Sequence, residues 1–174
     1  VLYRDAAGGC PYCQKVWITL EERRVPYRVE RVDMRCYGTG KPERFLKLQP
    51  DGNLPLAVVD GKVVRSSDNI ADAVDNLGEG PRLGFADASE ADRERFRRLC
   101  DDGPYDSLER RLYRRWMWWL TGVRRPEEYE RIYLEHLDEL EAALAETDAS
   151  GPFLFGDRLT LADLRFVPMV ERQL

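Results

Sequence analysis

The stretch Gly8-Gly9-Cys10-Pro11-Tyr12-Cys13-Gln14-Lys15-Val16-Trp17 places a Cys-x-x-Cys pair directly after a short apolar strand and directly before a helical run. The first thiol falls at a helix N-terminus, where unpaired backbone N–H groups and the helix dipole stabilise a negative charge. Such a position lowers a thiol pKa from ~8.5 into a range of roughly 3.5–7.5, leaving a nucleophilic thiolate at neutral pH. Pro11 fits the first helical position, the one that needs no N–H. The second thiol, one turn on, is close enough to form or resolve a disulfide. Cys10 is therefore the expected nucleophile. Cys13 reads either as its resolving partner or as a buried residue on the inner side of the helix.

Working outward, Leu2-Tyr3 ends a first strand, and Val16, Trp17 and Leu20 recur at helical spacing over 11–24. Arg23-Arg24 in the last turn suits the helix dipole, and Val25-Pro26 breaks the helix. A β-rich run comes next at 27–32, then a short helix at 42–48 and a turn at Gln49-Pro50-Asp51-Gly52. Runs at 54–59 and 62–65 flank Asp60-Gly61, a strong hairpin signal. Ser67 reads as the N-cap of a helix over 67–76, with Gly78 as its stop. This β-α-β-α-β-β-α order is the thioredoxin-like plan, an α/β domain with a mixed sheet.

Residues 78–84 hold three glycines and a proline, a linker by composition, and the rest of the chain reads as helical throughout. Ser89-x-x-Asp92 starts one helix as a near capping box. Asp102-Gly103-Pro104 interrupts it, and a further helix runs to about Leu120. Pro126–Ala145 is amphipathic, with Ile132, Leu137, Leu140 and Leu144 on its apolar side. Thr160-Leu161-Ala162-Asp163 is another N-cap with an acid at its third helical position. The expected division is a domain over 1–78, a linker over 79–88 and a helical domain over 89–174.

The chain has 174 residues, 43% hydrophobic and 34% charged, with a net charge of −5. That balance supports a sizeable core and gives no reason to expect nucleic acid. No apolar run approaches the ~20 residues of a membrane span. Four cysteines, only two of them paired in sequence, fit a reducing intracellular compartment better than a disulfide framework. Structural zinc would want a second ligand pair, and the chain offers no second Cys-x-x-Cys and a single histidine, His136, so no metal is expected. The chain starts at Val1 rather than Met and no targeting segment is visible, so a segment is expected to be missing upstream and the compartment is read as cytoplasm or plastid.

A thioredoxin-like domain succeeded by a helical one resembles the soluble glutathione transferases. Asn53-Leu54-Pro55 before the hairpin resembles the family's cis-proline turn, which would expose the backbone of Leu54 to an extended peptide such as glutathione. Ser66-Ser67-Asp68-Asn69-Ile70 stands where the family has Glu-Ser-x-x-Ile, whose serine and helix N-terminus hold the γ-glutamyl carboxylate. Lys41-Pro42-Glu43-Arg44-Phe45 resembles the omega-type segment whose lysine meets the glycyl carboxylate. Residues 153–163 resemble the capping box and staple of the family's C-terminal domain.

The resemblance implies a cysteine-type transferase (omega, lambda, dehydroascorbate reductase or iota), and Cys-Pro-Tyr-Cys is most similar to the iota class. It implies Cys10 and Cys13 as catalytic residues and Lys41, Leu54, Pro55, Ser66 and Ser67 as the glutathione-binding set. Glutathione would be co-substrate, and the second substrate a small electrophile, a disulfide or a glutathionylated molecule. The family commonly dimerises, so the resemblance implies a homodimer or a place in a larger assembly. Two departures stand out. Ser66 replaces the glutamate, and the chain ends at Arg172-Gln173-Leu174, inside what should be a core helix, so the helical domain reads as truncated. A non-catalytic transferase-like module is the rival reading. A plain glutaredoxin would end after the first domain.

For the remaining residues, Cys100 reads as structural, and Cys36 reads either as structural or as a redox-sensitive surface thiol. Trp116, Trp118 and Trp119 with Tyr113 read either as an aromatic substrate wall or as packing, with packing expected for at least two of the tryptophans. His136 carries no expected role.

Overall fold

In the computed structural model, which describes residues 1–34, 40–100, 107–122, 125–147 and 151–173, β1 (Leu2–Asp5) is the strand on which the first unit is assembled. It pairs in parallel with β2 (Val29–Val32) and antiparallel with β3 (Leu56–Val59), which pairs antiparallel with β4 (Lys62–Arg65). The sheet order is β2-β1-β3-β4. Side chains alternate between its faces. Leu2 and Ala57 meet Val16 and Leu20 of α1 (Pro11–Glu22) and Ile70 and Val74 of α3 (Ser67–Asp75) in one core. On a second core, Val32 and Leu56 meet Phe45 of α2 (Glu43–Leu46). Each fully buried valine, leucine, isoleucine or phenylalanine among them contributes roughly 1.5–3 kcal/mol. The β-α-β-α-β-β-α order is the thioredoxin-like plan expected from the sequence.

Several boundaries differ from those the sequence suggests. β2 starts at Val29 because β1 offers only four residues to pair with it. α2 is one turn long. The helix start at α3 lies one residue earlier than expected. Ser66, not Ser67, is the N-cap residue, and Ser67 is already helical. α1 ends at Glu22, and Arg23 is not a solvated charge easing the helix dipole. It is 3% exposed, pairs with Asp75 at 3.4 Å, and its guanidinium donates to the carbonyls of Leu77, Gly78 and Gly80. The glycines that read as a loose linker are there for close approach instead. A Cβ on Gly78 would stand 2.1 Å from the Arg23 carbonyl oxygen, and one on Gly80 2.1 Å from that of Glu22.

The chain divides into two units, Val1–Leu83 and Gly84–Leu174. The second holds α4 (Glu90–Cys100), α5 (Leu108–Leu120), α6 (Pro126–Ala145), α7 (Leu161–Val170) and a closing 3₁₀ turn, Glu171–Gln173. Its core gathers Phe85, Cys100, Leu108, Leu112, Tyr133, Ala143, Leu154, Ala162 and Phe166. On α6 the inward residues are Tyr133, His136 and Ala143, whereas Leu144, expected on the apolar side, is exposed. His136 faces Arg111 and Glu139, an ion-pair network rather than a reactive site. Trp116 and Trp119 pack against the core, and Trp118 stacks on Tyr129. Cys36 and Asp102-Gly103-Pro104 lie outside the described residues.

Candidate functional site

The register sets which segments meet. Tyr3 pairs with Leu56, and Leu56 with Arg65. Leu54-Pro55, Ser66-Ser67 and the loop leaving Asp5 therefore emerge at one end of the sheet. β2 runs parallel to β1 and ends there too, at Val32. Six of the seven residues singled out from the sequence stand at that end. The seventh, Lys41, is tied to it through Gly52, whose carbonyl its ammonium meets.

At the start of α1, Cys10 is the N-cap residue in extended conformation, with Pro11 in the first turn. Its Sγ accepts the Cys13 backbone N–H at 3.4 Å, and its carbonyl accepts the N–H of Gln14 at 3.1 Å. Sulfur thus fills the place a serine or aspartate oxygen usually takes in an N-cap. The Cys10 thiol is pulled down to about 7, first by the hydrogen bond from the Cys13 side chain, then by the backbone N–H groups of Cys13 and Tyr12. Burial and the Asp5 charge oppose the shift. Cys13, 0% exposed, is pushed far up, first by its hydrogen bond to Cys10 and then by burial. One thiol ionises near neutrality, and the other keeps its proton and donates it as a hydrogen bond.

Asp5, which carries no signal in the sequence, completes this end. It is 1% exposed, and its Oδ2 accepts the N–H of Gly9 at 2.6 Å and of Cys10 at 3.3 Å. Among the described residues its Oδ1 is buried with no hydrogen-bond partner, with Arg4 Nη2 at 3.7 Å. One Asp5 oxygen and the two sulfurs lie within 4.8 Å of one another. Three donors are one short of the four a structural zinc takes, and one oxygen of this carboxylate is committed to amides. A strand-end aspartate five residues before a cysteine has no periodicity to mark it, because its importance comes from its burial.

The Leu54–Pro55 peptide bond is cis. Among the described residues neither the N–H nor the C=O of Leu54 is hydrogen-bonded, so both can pair with an extended ligand. Ser66 is exposed and held at φ 71. A non-glycine residue at positive φ costs of order 1–3 kcal/mol and is concentrated at ligand sites. Ser67 is buried, and its hydroxyl has no partner among the described residues. The first turn of α3 therefore presents backbone N–H groups and a hydroxyl without a side-chain cap, which suits an anion. Asp68 beside them receives Lys15 Nζ at 2.8 Å and ties α3 to α1. Lys41, which the resemblance assigns to the glycyl carboxylate, is 7% exposed and braces the turn before Asn53.

A family model described as the glutathione S-transferase N-terminal domain matches residues 9–77, and one described as the glutathione S-transferase C-terminal domain matches residues 126–172. Glutathione S-transferase DHAR3, chloroplastic, of Arabidopsis thaliana is 29% identical over 161 residues, which are 92% of this chain and 54% of that protein. The chain thus spans little more than half the length of that relative. Chloride intracellular channel protein 3 of Homo sapiens is 28% identical over 174 residues, covering 96% of this chain and 70% of that one. Among solved structures, the trimeric glutathione transferase TDR1 of Leishmania superposes with a TM-score of 0.80 at 20% identity, over 98% of this chain and 36% of that chain. That last likeness shows the fold alone.

Proposed function

The chain belongs to the glutathione S-transferase superfamily, and on that premise we propose that it is a glutathione-dependent thiol transferase or reductase with Cys10 as nucleophile. One observation carries the reading: a thiol at the N-cap of α1, lowered to about 7, with a second thiol hydrogen-bonded to it. Glutathione lies along Leu54-Pro55, its cysteinyl unit paired with the Leu54 backbone. Its γ-glutamyl carboxylate sits at Ser66 and Ser67, and its glycyl carboxylate meets Lys41.

The Cys10 thiolate attacks the glutathione sulfur of a mixed disulfide, and the substrate thiolate leaves and takes up a proton. Glutathionylated Cys10 is then cleared by a second glutathione, giving glutathione disulfide, or by Cys13, giving a Cys10–Cys13 disulfide. Dehydroascorbate-type reduction would use the same nucleophile. Within the superfamily, the full Cys-Pro-Tyr-Cys favours the iota-like class. The identity to a chloroplastic relative supports a reducing intracellular setting, plastid or cytoplasm. A homodimer or a larger assembly is the expected state.

The test is mass spectrometry of the protein after exposure to oxidised glutathione. A glutathione adduct on Cys10, absent in Cys10→Ser, is expected, and an unmodified Cys10 rejects the reading. The near-equal identity to a protein named a chloride intracellular channel favours one second reading, a transferase-like module for assembly or ligand binding. Under it, the wild-type protein shows no thiol-transferase turnover, and Cys10→Ser leaves its ligand binding unchanged.

A further inference from the structure

We propose that Asp5 is the proton acceptor for Cys13 when that thiol displaces glutathione from Cys10. The proposal rests on the thiol-transfer reading and supplies its resolving half.

Cys13 is 0% exposed, so its proton must pass to a neighbouring group before its sulfur can attack. Among the described residues, the cluster around the two sulfurs contains one carboxylate, Asp5, and no imidazole. An Asp5 oxygen lies within 4.8 Å of the Cys13 sulfur, a span that direct approach or one bridging water closes. The two oxygens of Asp5 are not equivalent. Oδ2 is occupied by the amides of Gly9 and Cys10, which fixes the carboxylate in place. Among the described residues Oδ1 is buried without a hydrogen bond, an acceptor whose want of a donor is ordinarily costly. The charged group beside Oδ1 is the Arg4 guanidinium on β1, 3.7 Å away, which accepts no proton. The Asp68 carboxylate on α3 is engaged by Lys15 of α1 at 2.8 Å and is not part of the cluster around the sulfurs.

The same contacts set the timing. In the resting dithiol, the Cys10 thiolate holds the Cys13 proton by hydrogen bond and by charge, with burial adding to both. A mixed disulfide on Cys10 removes the thiolate and both of its effects. The Cys13 proton is then held least tightly at the one step that needs it gone. In that step the Cys13 S–H bond breaks and its proton goes to Asp5. The Cys13 sulfur forms a bond to Cys10 Sγ as the Cys10–glutathione S–S bond breaks. Glutathione leaves as thiolate, recovers the proton from Asp5 and is reduced, while the protein pair is oxidised to a disulfide.

The experiment uses the whole protein, loaded at Cys10 with oxidised glutathione and acid-quenched over time for mass spectrometry, as wild type and as Asp5→Asn. Asparagine keeps an acceptor oxygen for Gly9 and Cys10, and thermal melting verifies that the variant folds. The expected result is glutathione release by Cys13 slowed by roughly tenfold or more at neutral pH, with the gap closing as hydroxide takes over at high pH. Formation of the adduct should change by less than about threefold, since Asp5 takes no proton in that step. Asp5→Glu, which restores a carboxylate, should recover part of the release rate. Equal release rates in wild type and Asp5→Asn at neutral pH overturn the proposal, as does equal slowing of loading and release. A wild-type adduct that Cys13 never displaces overturns it too, while leaving thiol transfer through Cys10 standing. Absence of any wild-type adduct rejects the underlying reading first.

Discussion

The starts of α1 and α7 are built on the same device and left in different states. At α7 the cap residue Thr160 accepts the N–H of Asp163, and Asp163 reaches back to the Thr160 N–H at 2.8 Å and to the Leu154 N–H at 2.7 Å. Both carboxylate oxygens are used, and the Thr160 hydroxyl donates to one of them. At α1 the cap is sulfur, the third helical position is a second thiol, and the acid comes from outside the helix, from Asp5. There, among the described residues, one carboxylate oxygen stays without a hydrogen bond, and the sulfur pair shares a proton. A closed cap holds two segments together, and an incomplete one holds groups ready to react. In the function proposed above, the chemistry falls to the first unit because its helix start is the unfinished one.

The two helix starts differ most sharply at Cys10. Cys10→Ser should abolish thiol transfer, yet a hydroxyl caps a helix at least as well as sulfur, so stability should stay within about 1 kcal/mol. Turnover assays and denaturant melts on the same sample separate the two effects. If stability falls with activity, sulfur was structural at α1. The opposite pattern is expected at α7: Asp163→Ala removes buried hydrogen bonds to a charged group and should cost roughly 3 kcal/mol in a denaturant melt. Alkylation of Cys10 in the folded fraction should be unchanged. The smallest effect belongs to the uncapped start of α3. Ser67→Ala should raise the glutathione KM by roughly tenfold, the loss of about one hydrogen bond to a charged ligand, with little change in melting. A KM unchanged by Ser67→Ala would remove the γ-glutamyl subsite from that helix start.

Much of the molecule is legible in its sequence because it is local. Cys10-Pro11 at a helix start, the Asp60-Gly61 hairpin and the Thr160–Asp163 cap depend on neighbours in sequence, and each forms where its residues indicate. Residues whose meaning depends on distant partners are misread or missed. Arg23 looks like a dipole charge because Asp75 and the carbonyls of Leu77, Gly78 and Gly80 lie more than fifty residues away. The glycines at 78 and 80 look like slack for the same reason. Asp5 has no sequence signal at all until β1 and the loop after it fold its carboxylate onto the amides of Gly9 and Cys10. Ser66 takes the cap position expected of Ser67 because the turn from β4 requires a positive φ there, which composition does not reveal.

In the proposed reading, Cys10 is a thiolate near neutral pH and Cys13 keeps its proton to make it so. The most direct measurement is the rate of alkylation at each cysteine as a function of pH, read site by site by mass spectrometry, in wild type and in Cys13→Ala. A thiol reacts as its thiolate, so the Cys10 rate should rise with pH through a midpoint of about 7 and fall away below it. Cys13 should stay unlabelled across that range. In Cys13→Ala the Cys10 midpoint should move upward, because the largest stabilising hydrogen bond is gone. A wild-type midpoint at the ordinary thiol value of ~8.5, or one that Cys13→Ala leaves in place, would contradict the account.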